Sequence, residues 1–157
     1  MSNPFQPKVQ QKLSHCRMSL QWLEASERVG RQEEEALLQG ALVHLAIACR
    51  LYLRELAYNL SVTTPERIFQ VLDLVDAAPA GAGVEELRGQ EWIASLFAAE
   101  REILNPTVQG PSVSTGPHII AADRAVGTSE VTIERVKQFL NELSQLVERQ
   151  RLSFEEY

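Results

Sequence analysis

The sequence predicts an all-α protein: a single-domain antiparallel bundle of four to five helices around a long central second helix, with a long Gly/Pro-rich loop before the last helix. Three observations lead to this prediction. Apolar residues recur at helical spacing in several segments, the stretch 33–60 is apolar on nearly every side, and Gly and Pro are concentrated in the segment 105–128. A chain of 157 residues can bury one core, so residues 1–157 are expected to form one domain.

Charge and cysteine content narrow the expected partners and compartment. The formal net charge of −6 disfavours long-range attraction to nucleic acid or to an anionic membrane. Two cysteines are too few for a disulfide framework, and the first residues show neither the basic region nor the apolar run of a signal peptide. We therefore expect a cytoplasmic protein that binds neither nucleic acid nor membrane.

The first helix is predicted from a proline start and a regular apolar stripe. Pro7 suits the first turn of a helix, where its missing N–H costs no hydrogen bond. Gly30 is expected to stop this helix in the left-handed conformation. The stripe alternates steps of four and three residues and consists of Val9, Leu13, Cys16, Leu20 and Leu23.

The second helix is predicted to be the central column. It opens with acidic residues, which favour a helix N-terminus, and runs to Leu60 without proline. Its longest run without a charged residue, 36–49, is shorter than the roughly 20 residues of a membrane span, so a buried helix is expected. In a hairpin with the first helix, Cys16 and Cys49 come level. We interpret them as two small core residues, with a disulfide as the alternative.

The third and fourth helices are predicted from start and stop signals. The sequence Thr-Pro-Glu-Arg at 64–67 is a typical helix start, and the Ala/Gly/Pro connection at 77–83 keeps the third helix short. The fourth helix is expected from about Val84 until Asn-Pro at 105–106 stops it.

The segment 105–128 interrupts the helical pattern. A loop of this length inside a compact domain is uncommon and is usually functional or disordered. The last helix is predicted over about 129–150 and is followed by an apolar tail. Its core seam consists of Ile133, Val136, Leu140, Leu143 and Val147.

Ionisable residues on the second helix are the first candidates for a site, because a buried charge must be paired or change its protonation state. At about 100° per residue, His44 and Glu55 project to nearly the same side, and Arg50 and Arg54 to another. One interpretation is a pocket in which His44 and Glu55 act as acid and base, or Arg50 and Arg54 receive an anion. The other is structural: Arg50 and Glu55 mark the less buried end of the helix, and His44 is a satisfied core histidine. Gly40 offers a neighbouring helix a close approach.

The long loop adds two further candidates. His118 and Arg124 could serve as a catalytic histidine and a substrate clamp, or they could lie in an exposed turn or a local ion pair. No catalytic residue is assigned. The candidate ligand-binding residues are His44, Arg50, Arg54, Glu55, His118 and Arg124.

Motifs for metal or cofactor chemistry are missing from the sequence. None of the three histidines has Glu or Asp three residues before it, as helical di-metal sites require. No Gly-rich phosphate loop, nucleophile elbow or His-Glu-x-x-His helix occurs. We therefore predict no metal site and no cofactor.

The order of helix signals suggests a family. A Pro-started first helix, a long Ala-rich second helix, the Thr-Pro-Glu start at 64–66 and the late Gly/Pro loop resemble small uncharacterised bacterial helical-bundle proteins grouped as domains of unknown function. The resemblance implies a bacterial, cytoplasmic origin and no activity.

Two functions follow as hypotheses. The first is a non-enzymatic protein-interaction or regulatory bundle, whose long loop, Trp22 face or apolar tail contacts another protein or a second copy of itself. The alternative is a bundle that binds a small molecule or an anion, or even an enzyme, with a pocket near the second half of the central helix.

Overall fold

The chain folds as an all-α bundle, which confirms the predicted fold class. The computed structural model describes residues 2–108 and 131–155, and in these ranges it contains six α-helices, one short 3-10 helix and no strand. The 3-10 helix spans Pro65–Arg67. The α-helices are α1 (Gln6–Ala25), α2 (Arg31–Asn59), α3 (Val71–Ala77), α4 (Ala82–Arg88), α5 (Glu91–Leu104) and α6 (Ile133–Glu155).

Helices α1 and α2 form an antiparallel hairpin. Asn3 lies beside Asn59 at one end, and His15 lies beside His44 further along. Gly30 does not stop α1 as predicted, because α1 already ends at Ala25 and Gly30 has a φ of −66° immediately before α2. The predicted stripe of α1 is buried throughout and consists of Val9, Leu13, Cys16, Leu20 and Leu23.

The two cysteines face the core of this hairpin. Both Cys16 and Cys49 are buried free thiols, as the interpretation as small core residues requires. Burial raises the pKa of each thiol to about 12, so neither carries a nucleophilic thiolate at neutral pH.

Helix α2 is the central element, as predicted. It packs against α1, α3, α5 and α6. By length and composition α2 could cross a membrane, and half of its most apolar window is buried inside the bundle. Core helices of water-soluble bundles meet the same criterion, so the expected absence of a membrane partner stays a prediction.

The predicted third helix is a 3-10 helix followed by a separate short α-helix. Ser61 has a φ of 59°, and the chain turns there after α2. At Ile68, after the 3-10 helix, the backbone is extended. The Ile68 side chain is buried, and its carbonyl accepts a hydrogen bond from Arg54 of α2. These contacts hold the connection against α2.

Helix α3 instead begins at its own cap. The Asp73 carboxylate accepts hydrogen bonds from the backbone N–H groups of Phe69 (2.9 Å) and Gln70 (3.1 Å). Acceptors at this position satisfy donors that would be unpaired at a helix N-terminus.

The predicted fourth helix is divided in two. Helix α4 closes at Gly89, and the N–H groups of Gly89 and Gln90 bond three residues back, to Glu86 and Leu87. Helix α5 then starts at Glu91. After this break, α4 lies against α6, and the Glu86 carboxylate of α4 accepts hydrogen bonds from Arg149 and Gln150 of α6.

Helix α6 ends five residues later than predicted, at Glu155. Residues 151–155 of the predicted apolar tail therefore form the last turn of a helix, and Leu152 and Phe154 are exposed there. Residues 156–157 lie outside the described residues. The predicted start of this helix at 129 and most of the predicted loop, 109–128, fall outside the described residues. The buried face of α6 consists of Val136, Phe139, Leu143, Leu146, Val147 and Gln150.

Candidate functional site

Arg50 points from α2 towards α5 and is paired there. Its guanidinium donates to the Glu100 carboxylate, with Nη2–Oε1 at 2.6 Å and Nη1–Oε2 at 3.4 Å. It also lies over the Phe97 ring, 5.0 Å from the centroid. Glu100 is buried, so Arg50 supplies the charge that a buried carboxylate needs.

Arg54, one turn further along α2, reaches the connection after the 3-10 helix. Its Nε donates to the Ile68 carbonyl at 3.0 Å, and its guanidinium lies 5.0 Å from the centroid of the Phe69 ring. Burial lowers the pKa of Arg54, and the positive charge of Arg50 lowers it further. An arginine stays protonated in proteins, so Arg54 places a positive charge at a partly exposed position.

Glu55 is buried on the opposite side of α2, with 2% of its surface exposed. Both its carboxylate oxygens accept hydrogen bonds from Arg151 of α6, each at 2.8 Å. Hydrogen bonds to Glu55 raise the pKa of Arg151. The interpretation of Glu55 as a marker of the less buried end of α2 was wrong, because α6 covers this turn and brings the matching arginine.

A second buried polar network lies beside this pair. The Tyr52 hydroxyl donates to Gln150 Oε1 at 2.6 Å, and Gln150 Nε2 donates to the Gly83 carbonyl (3.1 Å) and to Glu86 Oε2 (3.0 Å). Arg149 completes it on Glu86, with Nε–Oε1 at 2.9 Å. Burial raises the pKa of Glu86, but the hydrogen bonds from Gln150 and Arg149 outweigh it and the pKa is lowered. Burial also raises the pKa of Tyr52, so its hydroxyl remains a donor.

This network was not among the predictions, although the sequence carries a signal for it. Residues 150 and 151 continue the i, i+3, i+4 seam of the last helix beyond Val147, which predicts that they face the core. A glutamine and an arginine at such positions require buried partners. On the central helix, the Tyr52 hydroxyl is a suitable donor for the glutamine, and the Glu55 carboxylate is a suitable partner for the arginine.

His44 faces α1, and its side chain is partly exposed, so it is not the core histidine of the structural interpretation. Its Nδ1 lies 3.5 Å from Lys12 Nζ, and its ring meets the His15 ring edge-on at a centroid distance of 5.1 Å. Burial lowers the pKa of His44, and the charges of Lys12 and His15 lower it further. His44 is therefore neutral at pH 7 and can accept a hydrogen bond from Lys12.

The described candidates face three different neighbours. His44 contacts α1, Arg50 contacts α5 and Glu55 contacts α6. His44 and Glu55 are also separated by about 16 Å along α2, at 1.5 Å per residue. The structure therefore does not bring these side chains together around one ligand. Two candidates lie outside the described residues: His118 and Arg124.

The described residues also form two open grooves that the candidate residues of α2 do not line. A groove of about 320 Å³ runs between α1 and α6 beside Arg151, and one of about 560 Å³ lies at the end of α5 beside Arg101 and Arg135. Among the residues that the structure describes, neither groove is lined by His44, Arg50, Arg54 or Glu55. Within 2–108 and 131–155, no group of three or more His, Cys, Asp or Glu side chains is placed to hold a metal ion.

One side of α2 exposes apolar surface instead. At about 100° per residue, Gly40, Val43, Ile47 and Arg54 fall within one arc of about 60°. We call Gly40, Val43, Ile47 and Arg54 the outer face of α2. All four are partly exposed, whereas between residues 38 and 56 the opposite side of the helix is buried. In the described part of the chain, no atom lies within 4 Å of the position that a Cβ would take at Gly40. The predicted close approach of a neighbouring helix at Gly40 is therefore wrong for these residues.

The outer face continues into the connection after α2. The Phe69 ring under the Arg54 guanidinium is 55% exposed, and Leu72 on α3 is 60% exposed. An apolar stripe, an arginine and an aromatic ring thus adjoin on one side of the molecule.

The fold and these contacts define an all-helical bundle whose central helix buries polar networks on one side and exposes apolar surface on the other. The chain belongs to DUF6586, a family of unknown function, whose model matches residues 1–157. This confirms the predicted domain-of-unknown-function family; the bacterial origin stays a prediction. No curated protein and no solved structure matches the chain.

Proposed function

We propose that this protein is a non-enzymatic interaction or regulatory module that contacts a protein partner through the outer face of α2. The observation that carries the proposal is the partly exposed stripe from Gly40 to Arg54, together with the exposed Phe69 ring. Arginine and aromatic side chains are enriched in protein interfaces, and a few of them usually carry most of the binding energy.

The ionisable residues of α2 support the same conclusion. Arg50 and Glu55 each pair with a side chain of another helix, and three of the four groups in these pairs are less than a fifth exposed. Their charges serve the packing of α5 and α6 against α2. The outer face is where α2 still has surface to offer a partner.

Other exposed apolar side chains lie elsewhere in the fold. Met18 and Trp22 on α1 are 60% and 62% exposed, but they cover one turn and adjoin the polar Arg17 and Gln21. The outer face of α2 extends over about four turns. We therefore assign the contact surface to α2, and we propose that the partner is met in the cytoplasm.

Affinity capture from an extract of the native cells tests the location of this surface. The wild type is compared with Ile47→Ser and with the control Trp22→Ser, after circular dichroism has shown that all three are folded. We expect Ile47→Ser to lose a protein that the wild type and Trp22→Ser retain. Capture of the same proteins by all three, or loss only with Trp22→Ser, contradicts the proposal.

A second candidate function is anion binding at Arg54. Arg54 lies one turn from Arg50, and burial and the neighbouring charge lower the pKa of Arg54, so a bound anion would relieve the repulsion. We expect inorganic phosphate to raise the melting temperature of the wild type by mass action, and Arg54→Gln to abolish the rise. Arg88→Gln, at an exposed arginine of α4, is the control. No phosphate-dependent rise in the wild type, or an equal rise in Arg54→Gln, excludes this candidate.

A further inference from the structure

We propose that the partner on the outer face of α2 is a second copy of this chain, related by a two-fold axis, with the two α2 helices antiparallel. The inference rests on the proposed function, because it uses the same surface. A two-fold contact requires a surface that complements itself, because each contact between a residue of one copy and a different residue of the other copy occurs twice. The outer face of α2 has this property in both charge and shape.

The charge pattern is self-complementary. Glu33 is exposed near the start of α2, and Arg54 lies near its end. Both lie within about 50° of the centre of the outer face, and the stripe between them contains Val43 and Ile47. If a second α2 lies antiparallel, Glu33 of each copy meets Arg54 of the other. A parallel arrangement would instead place like charges together.

The shape is self-complementary in the same register. When Glu33 stands opposite Arg54, facing residue numbers sum to 87, and Ile47 stands opposite Gly40. Within the described residues, the space above Gly40 is open. The partly exposed Ile47 of one copy can therefore fill the space above Gly40 of the other. Small residues allow two helices to approach closely. Val43 lies nearest the two-fold axis.

The size of this surface predicts the strength of the contact. A single helix face is smaller than the roughly 800 Å² per partner of a standard interface, although the Phe69 ring beside Arg54 extends it. We therefore expect a dimer that depends on protein concentration. The two Glu33–Arg54 pairs are exposed to solvent at their rims, so salt should weaken the dimer.

Charge reversal tests the antiparallel register. We compare Glu33→Arg, Arg54→Glu and their equimolar mixture with the wild type by sedimentation equilibrium. Each variant alone places like charges opposite each other twice, so we expect its dimer to be weaker by roughly tenfold or more. In the mixture each variant supplies the charge that the other lacks, and association should return. Glu34→Arg is the control, because it makes the same charge change about 150° away from the centre of the outer face.

Arg54→Glu also removes the hydrogen bond that Arg54 donates to the Ile68 carbonyl, which could affect folding. A cross-linking experiment avoids this effect. Val43→Cys places one thiol of each copy beside the axis, and mild oxidation should join them into one disulfide-linked dimer. The native thiols at Cys16 and Cys49 are buried. Ser95→Cys, at an exposed position on α5, is the control that should remain monomeric.

A wild type that sediments as a monomer at every concentration, with no cross-link in Val43→Cys, overturns the inference. Dimers of both charge variants as strong as those of the wild type overturn the register. If the protein is monomeric and Ile47→Ser still loses a different captured protein, the inference fails and the proposed function stands. If Ile47→Ser affects neither dimer nor capture, both fail.

Discussion

The two sides of α2 differ in a way that reverses the usual distribution of residues. On the side that faces α6, Tyr52 and Glu55 place polar groups in the interior, 1% and 2% exposed. On the outer face, Val43 and Ile47 keep apolar atoms partly in water. The buried polar groups are all paired, whereas these apolar side chains stay partly exposed. We infer that Tyr52 and Glu55 serve the packing of α6, which agrees with a proposed contact surface on the outer face.

The buried networks also constrain the register in which α6 packs against α2. A buried ion pair adds little net stability compared with apolar residues, but removing one partner is costly. The Glu55–Arg151 pair and the Tyr52–Gln150 bond form only when α6 lies against α2 in one register. We infer that they specify the packing of α6, while apolar burial supplies most of the driving force.

The largest expected effect comes from breaking the buried pair. Arg151→Met leaves the Glu55 carboxylate in the interior without a charged partner, which should cost about 3–5 kcal/mol of the free energy of unfolding. Urea denaturation at low protein concentration measures it. The control is Arg88→Met, which removes an exposed pair with Glu85 and should cost less than about 1 kcal/mol. Equal losses in the two variants would show that the buried pair has no special weight.

The second prediction concerns the neighbouring hydrogen bond. Tyr52→Phe removes the hydroxyl that donates a hydrogen bond to Gln150 Oε1 at 2.6 Å. We expect the free energy of unfolding to fall by about 1–2 kcal/mol in the same urea experiment. Tyr58→Phe is the matched control, since within the described residues the Tyr58 hydroxyl makes no hydrogen bond and its ring is partly exposed. A loss as small as that of Tyr58→Phe would count against a role of this bond in packing α6.

The third prediction tests the outer face. Gly40→Ala should stabilise the monomer by about 0.5–1 kcal/mol, because alanine is the better helix former and a Cβ meets no described atom there. The same change should weaken the dimer, because the methyl group occupies the space assigned to Ile47 of the second copy. Ala41→Gly, one residue away on the buried side, should destabilise the protein. Destabilisation by Gly40→Ala would mean that this face is covered.

The smallest expected effect is a pH dependence through His44. Its pKa is lowered in the folded state by burial, Lys12 and His15. The unfolded chain therefore binds this proton more readily, and the free energy of unfolding should fall as the pH drops through the ordinary value of 6.5. His44→Gln should reduce this fall. Urea denaturation between about pH 8 and pH 5 measures the slope. An unchanged slope in His44→Gln would assign the pH dependence to other groups.

The sequence by itself determined the helical class, the central role of α2 and the buried stripe of α1. These features depend on local patterns: apolar spacing, and the position of Gly and Pro. Val9, Leu13 and Cys16 could be placed on one face because a helix fixes the direction of each side chain relative to its neighbours.

Only the tertiary structure decided where helices end and which polar groups meet. The extended backbone at Ile68 accompanies a hydrogen bond from Arg54, and the late end of α6 accompanies the pair that Arg151 forms with Glu55. These partners are far apart in the chain, 96 residues in the case of Glu55 and Arg151. Periodicity shows which way a side chain points on its own helix, but the charge it meets depends on how the helices pack.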